Sequence, residues 1–263
     1  SQVARDLELA RGLTEYPEIA HEKTASGAAR RLKYLRQKNL RIEIANRTAA
    51  TLGSGPKCVL TGDCIDQMTA MPEEVMDLIV TDPPYGIDLN SQAFAKASWS
   101  REGFADEAEA TMKMLELAFK EMYRVLKQDC HCYVFFGIVH YERIKQLLVS
   151  AGFTVEAVPL VWSKMRWKTK SMNPETKFSN SWEPIFFCSK GVRTFSRLGP
   201  SNLLGFDPVV GVNKRHPTEK PVDLAKVLIE LSSTENEIVF DPFCGSGAML
   251  EAAVVLNQTP LGV

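Results

Sequence analysis

Two runs of apolar β-formers in this sequence end in residues that do chemistry. LIVTDPPYGI, residues 78–87, closes on a carboxylate, two prolines and an aromatic ring. IVFDPFCGSGAML, residues 238–250, closes on a second carboxylate and a glycine-rich turn. In the first stretch the prolines have no N–H to donate and a fixed φ, so they stop a strand and stiffen the turn after it. Asp82 and the carbonyl of Pro83 then become two acceptors held close together ahead of Pro84, and Tyr85 offers a flat ring beside them. Such a group suits a planar molecule with an exocyclic amine. Both amine hydrogens are accepted, the ring is stacked, and the nitrogen lone pair is drawn out of conjugation and aimed at an electrophile. In the second stretch Gly245 and Gly247 let the backbone approach a ligand closely, and the helix that follows starts with free N–H groups. A phosphate would suit that turn, but the Walker lysine is missing and the glycine spacing is not that of a dinucleotide site.

Strands alternating with helices must position these turns. From Lys57 onward, CVLTGD reads as a short strand and turn, VMDLIVT as a buried strand, and residues 108–127 as a helix with Met112, Leu115, Phe119, Met122 and Leu126 on one stripe. CYVFFG reads as a strand, YERIKQLLVSAG as a helix closing on Gly152, and FTVEAVPLVW and WEPIFFCSK as strands. PVDLAKVLIELSS is a helix with Pro221 at its start, EIVF a strand, and GAMLEAAVVLN the helix after it. The alternation predicts an α/β protein with a Rossmann-like, mostly parallel sheet, in which ligands sit beyond the carboxyl ends of the strands. Residues 1–55 read differently. They are helical in pattern, broken at Pro17 and Gly27, with Leu32, Leu35, Leu40 and Ile44 among many cations, and LGSGP at 52–56 reads as a linker to the domain spanning 56–263. That basic segment is either a DNA-binding arm or a solvated helical packing element. It loosely resembles the helical part of ParB-type partition proteins.

A third element, HPTEKPVDLAKVLI at 216–229, lies just before the glycine turn. Together DPPY, HPTEKP and DPFCGSG, in that order, resemble the DNA amino-methyltransferases that modify adenine N6 or cytosine N4, in their permuted β arrangement. VLTGDCIDQM before DPPY and LVWSKMRW…NSWEPIFFCSKG between the motifs fit the same family, so the resemblance covers about residues 57–263. It implies the fold of the S-adenosylmethionine-dependent methyltransferases. It also implies that Asp241, Phe243, Gly245 and Gly247, with Thr218 and Lys220, contact that donor, while Asp82, Pro83, Pro84 and Tyr85 hold the target base flipped out of the helix. His216 within HPTEKP reads as structural. DPPY favours adenine in the family, whereas a serine in place of Asp82 would favour cytosine. The family's acidic residue for the donor ribose, at the end of the strand after the glycine helix, does not occur before Val263. Either the C-terminus is trimmed or disordered, or donor binding is impaired, which leaves a DNA-binding protein that has lost transfer as an alternative beside cytosine-N4 transfer. Transfer to a ring carbon would need a cysteine nucleophile, usually after a proline, and no Pro-Cys pair occurs.

The substrate must then be double-stranded DNA, yet the formal net charge is -1, so contact depends on a local patch. Residues 162–180 hold the densest one in the methyltransferase part: Lys164, Arg166, Lys168 and Lys170, with Lys177, among Trp162 and Trp167. Cations there can neutralise phosphates and rings can stack. Residues 88–107 read as a flap over the base. Six cysteines, Cys58, Cys64, Cys130, Cys132, Cys188 and Cys244, include a Cys130-His131-Cys132 run too tight for the usual zinc spacing. They read as buried thiols of a reducing cytoplasm, in a bacterial, phage or mobile-element setting that includes restriction-modification. No apolar run approaches a membrane span, no secretory signal opens the chain, and it begins at Ser1 as a processed piece would. Members of the resembled group often dimerise, which leaves a homodimer open.

Overall fold

The computed structural model describes residues 2–22, 24–29, 31, 32, 35, 58–84, 101–164, 175, 176, 178–209 and 219–263, and of 2–5 and 101–108 the backbone alone. Strand β1 (Met76–Thr81), MDLIVT, is buried at all six positions, as a strand covered on both faces must be. It lies between β2 (Leu126–Phe135) and β7 (Ile238–Asp241) and runs parallel to both. β7 is in turn parallel to β8 (Thr259–Gly262). On the other side β5 (Trp182–Lys190) pairs antiparallel with β2 and with β3 (Thr154–Val155) and β4 (Leu160–Ser163). β6 (Leu203–Gly205) completes the order β6-β4-β5-β2-β1-β7-β8. The sheet is thus parallel around β1 and antiparallel around β5. The chain leaves β1 through α3 (Arg101–Val125) toward β2, and leaves β7 through α6 (Ala248–Val255) toward β8 on the opposite side. The strand order therefore reverses between β1 and β7, where ligands bind in open sheets of this kind.

One face of the sheet buries Leu78, Val80, Tyr133, Phe135, Trp162, Ile185 and Val239 against Leu224, Ala225, Leu228 and Ile229 of α5 (Val222–Ser232) and Met249, Ala252 and Ala253 of α6. Successive strand residues point to opposite faces. Accordingly Phe186 stacks on Phe136 and meets Tyr141 of α4 (Tyr141–Ala151). Met112, Leu115, Phe119 and Met122 of α3 are buried on the expected stripe. Leu126 is not part of that stripe: α3 ends at Val125 and Leu126 opens β2. α4 closes on Gly152 in the left-handed region, φ 113°, as its sequence predicts.

Three expectations change in detail. FTVEAVPLVW forms two short strands, because Val155 faces Cys188 while Leu160 faces Ile185, five residues on one side against three on the other. Pro159, which has no N–H for a ladder, sits in that bulge. CVLTGD makes only a bridge, Val59 to Gly262, and Asp63 caps α2 (Cys64–Thr69) by accepting from Ile65 and Asp66 N–H. Of the six cysteines expected to be buried, Cys130, Cys132 and Cys188 are, and burial pushes their thiols up, but Cys58, Cys64 and Cys244 are only half-buried. The His131 ring joins Ser232 and the Arg193 carbonyl, and its burial lowers its pKa to about 4. Among the described residues no group of His, Cys, Asp and Glu is placed to hold a metal ion, and no helix is long and apolar enough to cross a membrane.

Residues 1–57 form a separate unit. There α1 (Gln2–Glu15) and a short 3-10 turn, Pro17–His21, bury Tyr16 and Ile19 with Leu32 and Leu35. Gly27 lies inside a helical stretch, 25–29, and is not a break. Leu40 and Ile44 lie outside the described residues.

Asp77 fastens the parallel core. Its carboxylate, 1% exposed, accepts from Lys127 Nζ at 2.8 Å at the start of β2 and from Ile238 N–H at 3.0 Å at the start of β7. Asp77→Ala leaves a nearly buried ammonium without that carboxylate. It is expected to lower the unfolding free energy by ~3–5 kcal/mol in urea titrations, as loss of one partner of a buried pair does.

Candidate active site

β1 and β7 run side by side in one direction, with Leu78 opposite Val239 and Ile79 opposite Phe240, so their carboxyl ends emerge together. Thr81 donates its hydroxyl to Asp241 Oδ1 at 2.7 Å, and Asp82 is the next residue along. The two turns singled out in the sequence thereby become walls of one solvent-open cleft. Asp82, Glu219, Lys220, Asp241, Phe243, Cys244, Gly245 and Ser246 line it, with Ala248 and Met249. Pro83 is buried and Pro84 exposed, which fixes the exit of the chain from β1.

The glycine wall is shaped by backbone. Gly245 and Gly247 have φ of +45° and +79°, which L side chains rarely adopt. A Cβ on Gly247 would meet nothing within 4 Å, and one on Gly245 only the Phe243 carbonyl at 3.8 Å. The space beside these glycines is not filled by the protein. Gly247 is also the N-cap of α6 and offers no side chain to the helix start. Asp241, 2% exposed, accepts from Phe243 N–H at 3.1 Å as well as from Thr81. Its burial pushes the carboxyl up to about 7, against the pull of those two hydrogen bonds and with a further push from the Asp82 charge.

Between the walls lies a chain of alternating charges. Lys220 Nζ, on a side chain 4% exposed, stands 2.6 Å from Asp82 Oδ2 and 3.2 Å from Glu183 Oε2. The other Glu183 oxygen takes Lys164 Nζ at 2.5 Å. Phe135 lies 5.2 Å beneath Lys220, and Trp162 4.7 Å beneath Lys164. Burial opposes ionisation of Glu183, but the Lys220 charge and the Lys164 hydrogen bond outweigh it and hold the carboxyl below its usual range.

The structure therefore brings Asp82, Lys220, Asp241, Phe243 and Gly245 to one cleft, with Gly247 closing the turn behind it. Two of these residues are ion-paired within the protein. Lys220, read from the sequence as a donor contact, touches Asp82. Lys164, read as a phosphate contact, is ion-paired to Glu183 at the end of β4, in the same chain of charges as Asp82. Tyr85, Thr218, Arg166, Lys168, Lys170 and His216 lie outside the described residues, as does the flap expected over 88–107 as far as residue 100; from Arg101 on that stretch is helical, the start of α3. Sequence reasoning passed over Thr81, Glu183 and Glu219. Glu183 did leave a trace: it is the one carboxylate in the strand WEPIFFCSK.

Chemically, the cleft carries three carboxylates, Asp82, Glu219 and Asp241, against one ammonium. A ligand bearing positive charge is favoured there, above all once Asp241 ionises. A planar amine beside Asp82 and a cation beside Asp241 would meet within it.

A family model described as DNA methylase matches residues 76–203 and 196–263. The Escherichia coli K12 protein YubD is 31% identical over 204 residues, 78% of this chain and 82% of its own length. Among solved structures, the PvuII DNA methyltransferase, titled cytosine-N4-specific, has a TM-score of 0.63 at 18% identity and covers 78% of this chain and 80% of its own. The M1.HpyAVI–SAM complex has a TM-score of 0.57 at 19% identity and covers 78% and 90%.

The raised Asp241 pKa gives a stability signature. With an ordinary value of 3.8 and a folded value of about 7, the protonated acid is the form the fold favours. Its contribution is complete below the ordinary value and is lost as pH rises toward about 7. Wild type is expected to lose stability relative to Asp241→Asn across that interval. Urea unfolding of both proteins at a series of pH values checks it, and parallel curves would show an ordinary Asp241.

Proposed function

The chain belongs to the N6/N4 DNA methylase family, and from that premise we propose that it transfers a methyl group from S-adenosylmethionine to the exocyclic N6 of adenine in double-stranded DNA. The observation that carries the reading is the junction of the two strand ends, Thr81 hydrogen-bonded to Asp241 with Asp82 next in the chain. It sets an amine-accepting group and a glycine-lined cradle side by side. S-adenosylmethionine supplies an electrophilic methyl on a sulfonium sulfur, which leaves as a neutral thioether when its C–S bond breaks.

The residues fit that donor. It carries a sulfonium and an ammonium, and the cleft is rich in carboxylates. Its bulk needs the room that Gly245 and Gly247 leave, and Asp241 and Phe243 border that room. Ionised Asp241 beside a cationic ligand makes donor affinity rise with pH through about 7.

At the other wall Asp82 and the Pro83 carbonyl accept the two amine hydrogens, and Tyr85 stacks on the base. The nitrogen lone pair forms the new N–C bond. The positive charge that grows on nitrogen is offset by the fixed Asp82 carboxylate before a proton leaves the product amine. Lys220 anchors Asp82 Oδ2 and so fixes the plane of the carboxylate. Flipping the base costs a few kcal/mol of unstacking, which stacking and edge contacts in the pocket offset.

Adenine is preferred because the motif has Asp82 where cytosine-directed members of the family have serine. Cytosine N4 is the second reading, favoured by the likeness of the fold to the PvuII enzyme. Arg166, Lys168 and Lys170 meet the phosphates from the segment rooted at Lys164. Methylation of duplexes carrying adenine or cytosine as the only modifiable base, followed by analysis of the methylated nucleosides, distinguishes the readings. N4-methylcytosine alone would replace the adenine assignment.

Asp82→Ala is expected to abolish transfer while S-adenosylmethionine affinity, measured by calorimetry, stays near wild type. Equal losses of affinity and rate would place Asp82 in the donor site. Replacing Arg166, Lys168 and Lys170 together by Ala should weaken binding to every duplex and leave donor affinity unchanged. The log-log salt dependence should flatten by roughly one unit for each phosphate that is no longer neutralised. An intact slope would move the DNA surface to another part of the chain.

A further inference from the structure

We infer that Glu183 is a positioning residue for methyl transfer: its carboxylate spans Lys164 and Lys220 and so holds the Lys220 ammonium on Asp82. The inference rests on the methyl-transfer reading above. Glu183 does not line the cleft.

Its placement is set by strand pairing. Glu183 stands on β5 opposite Trp162 of β4, and Lys164, just past the end of β4, donates its backbone N–H to Ser181. That register delivers Lys164 Nζ to Glu183 Oε1. The other oxygen, Oε2, is 3.2 Å from Lys220 Nζ, whose nearest acid is Asp82 at 2.6 Å. Lys220 reaches this point from the stretch just before α5, so without a fixed partner on the β5 side its long side chain has other rotamers to visit. An almost fully buried ammonium is costly unless charges and hydrogen bonds surround it. Glu183 supplies the second carboxylate, and Lys164 supplies the cation that keeps Glu183 ionised.

The four groups Asp82, Lys220, Glu183 and Lys164 sum to zero formal charge. Loss of the Glu183 charge leaves one excess positive charge next to Asp82. The Lys220 ammonium is then held by one carboxylate instead of two, and the orientation of Asp82 toward the growing charge on the base amine is no longer fixed. That cost falls on the transfer step. The donor cradle at Asp241, Phe243 and Gly245 lies on the other wall and does not include Glu183.

The test uses the isosteric Glu183→Gln and the shorter, still charged Glu183→Asp, each with saturating adenine duplex and S-adenosylmethionine beside wild type. The expected result is a kcat reduced about 10- to 100-fold in Glu183→Gln, the scale that misplacement of a reacting group produces. KM for DNA and donor affinity by calorimetry should remain near wild type. Glu183→Asp keeps the charge but cannot span both lysines, so its kcat should fall between the two. Wild-type kcat in a folded Glu183→Gln overturns the inference, and so does a donor affinity that falls in step with kcat. If Glu183→Gln does not fold, Glu183→Asp decides alone: a lowered kcat with unchanged donor affinity supports the role, and an unchanged kcat overturns it. Lack of transfer by wild type on any duplex would instead defeat the methyl-transfer reading itself.

Discussion

The site depends on the parallel register of β1 with β7. A shift of one residue would turn Asp82 or Asp241 to the other face of the sheet, since side chains alternate along a strand. The register is held at both ends. At the amino ends Asp77 binds Lys127 and the Ile238 N–H, linking β1 to β2 and to β7. At the carboxyl ends Thr81 binds Asp241. Between these two polar clasps the contacts are Leu78, Val80 and Val239 against α5 and α6, which supply burial but little registration. The sequence separation of these clasps, 160 residues for Thr81 to Asp241, means that the site exists only when the whole domain has folded.

Charge in this domain is managed by pairing along the sheet rather than by exposure. Lys127 with Asp77 and Lys220 with Asp82 are both buried or nearly so. Arg193 with Glu237, and Lys164 with Glu183, are largely covered. Buried pairs add little net stability over apolar packing, so their retention calls for another use. Around Asp77 that use is register. Around Asp82 it is the orientation of a carboxylate on which the proposed chemistry depends. Asp241 differs: it accepts hydrogen bonds from Thr81 and Phe243, and its burial pushes its carboxyl up to about 7. In the proposed reaction a cationic donor beside it would favour its ionised form.

Local signals made most of the fold legible in the sequence. MDLIVT and WEPIFFCSK are apolar enough to be strands, Gly152 stops α4, and the Met112, Leu115, Phe119, Met122 stripe has helical period. The motifs DPPY and DPFCGSG marked both walls of the cleft, because proline and glycine leave a strong imprint on local backbone. What the sequence hid was pairing at a distance. Whether β5 runs against β2, and whether Val155 and Leu160 sit on one continuous strand, depends on partners far along the chain. The same holds for Lys220, whose motif suggested a donor contact and whose ammonium is found on Asp82. A lysine's reach exceeds what spacing alone can direct.

The charge distribution of the cleft bears on how a protein with a formal net charge of -1 would handle a polyanion. The carboxylates that line the cleft would repel a phosphate backbone from the transfer site. In the proposed reaction this is useful, because only a neutral base needs to enter, while the donor arrives as a cation. Phosphates must be met elsewhere, and the run from Lys164 to Lys170 starts where the internal charge chain ends. Lys164 then stands at the boundary between the two fields. It is held by Glu183 and backed by Trp162, so it terminates the inner chain of charges. In the proposed reaction an extruded base would enter this cleft while its phosphates stay outside it, away from the carboxylates that line it.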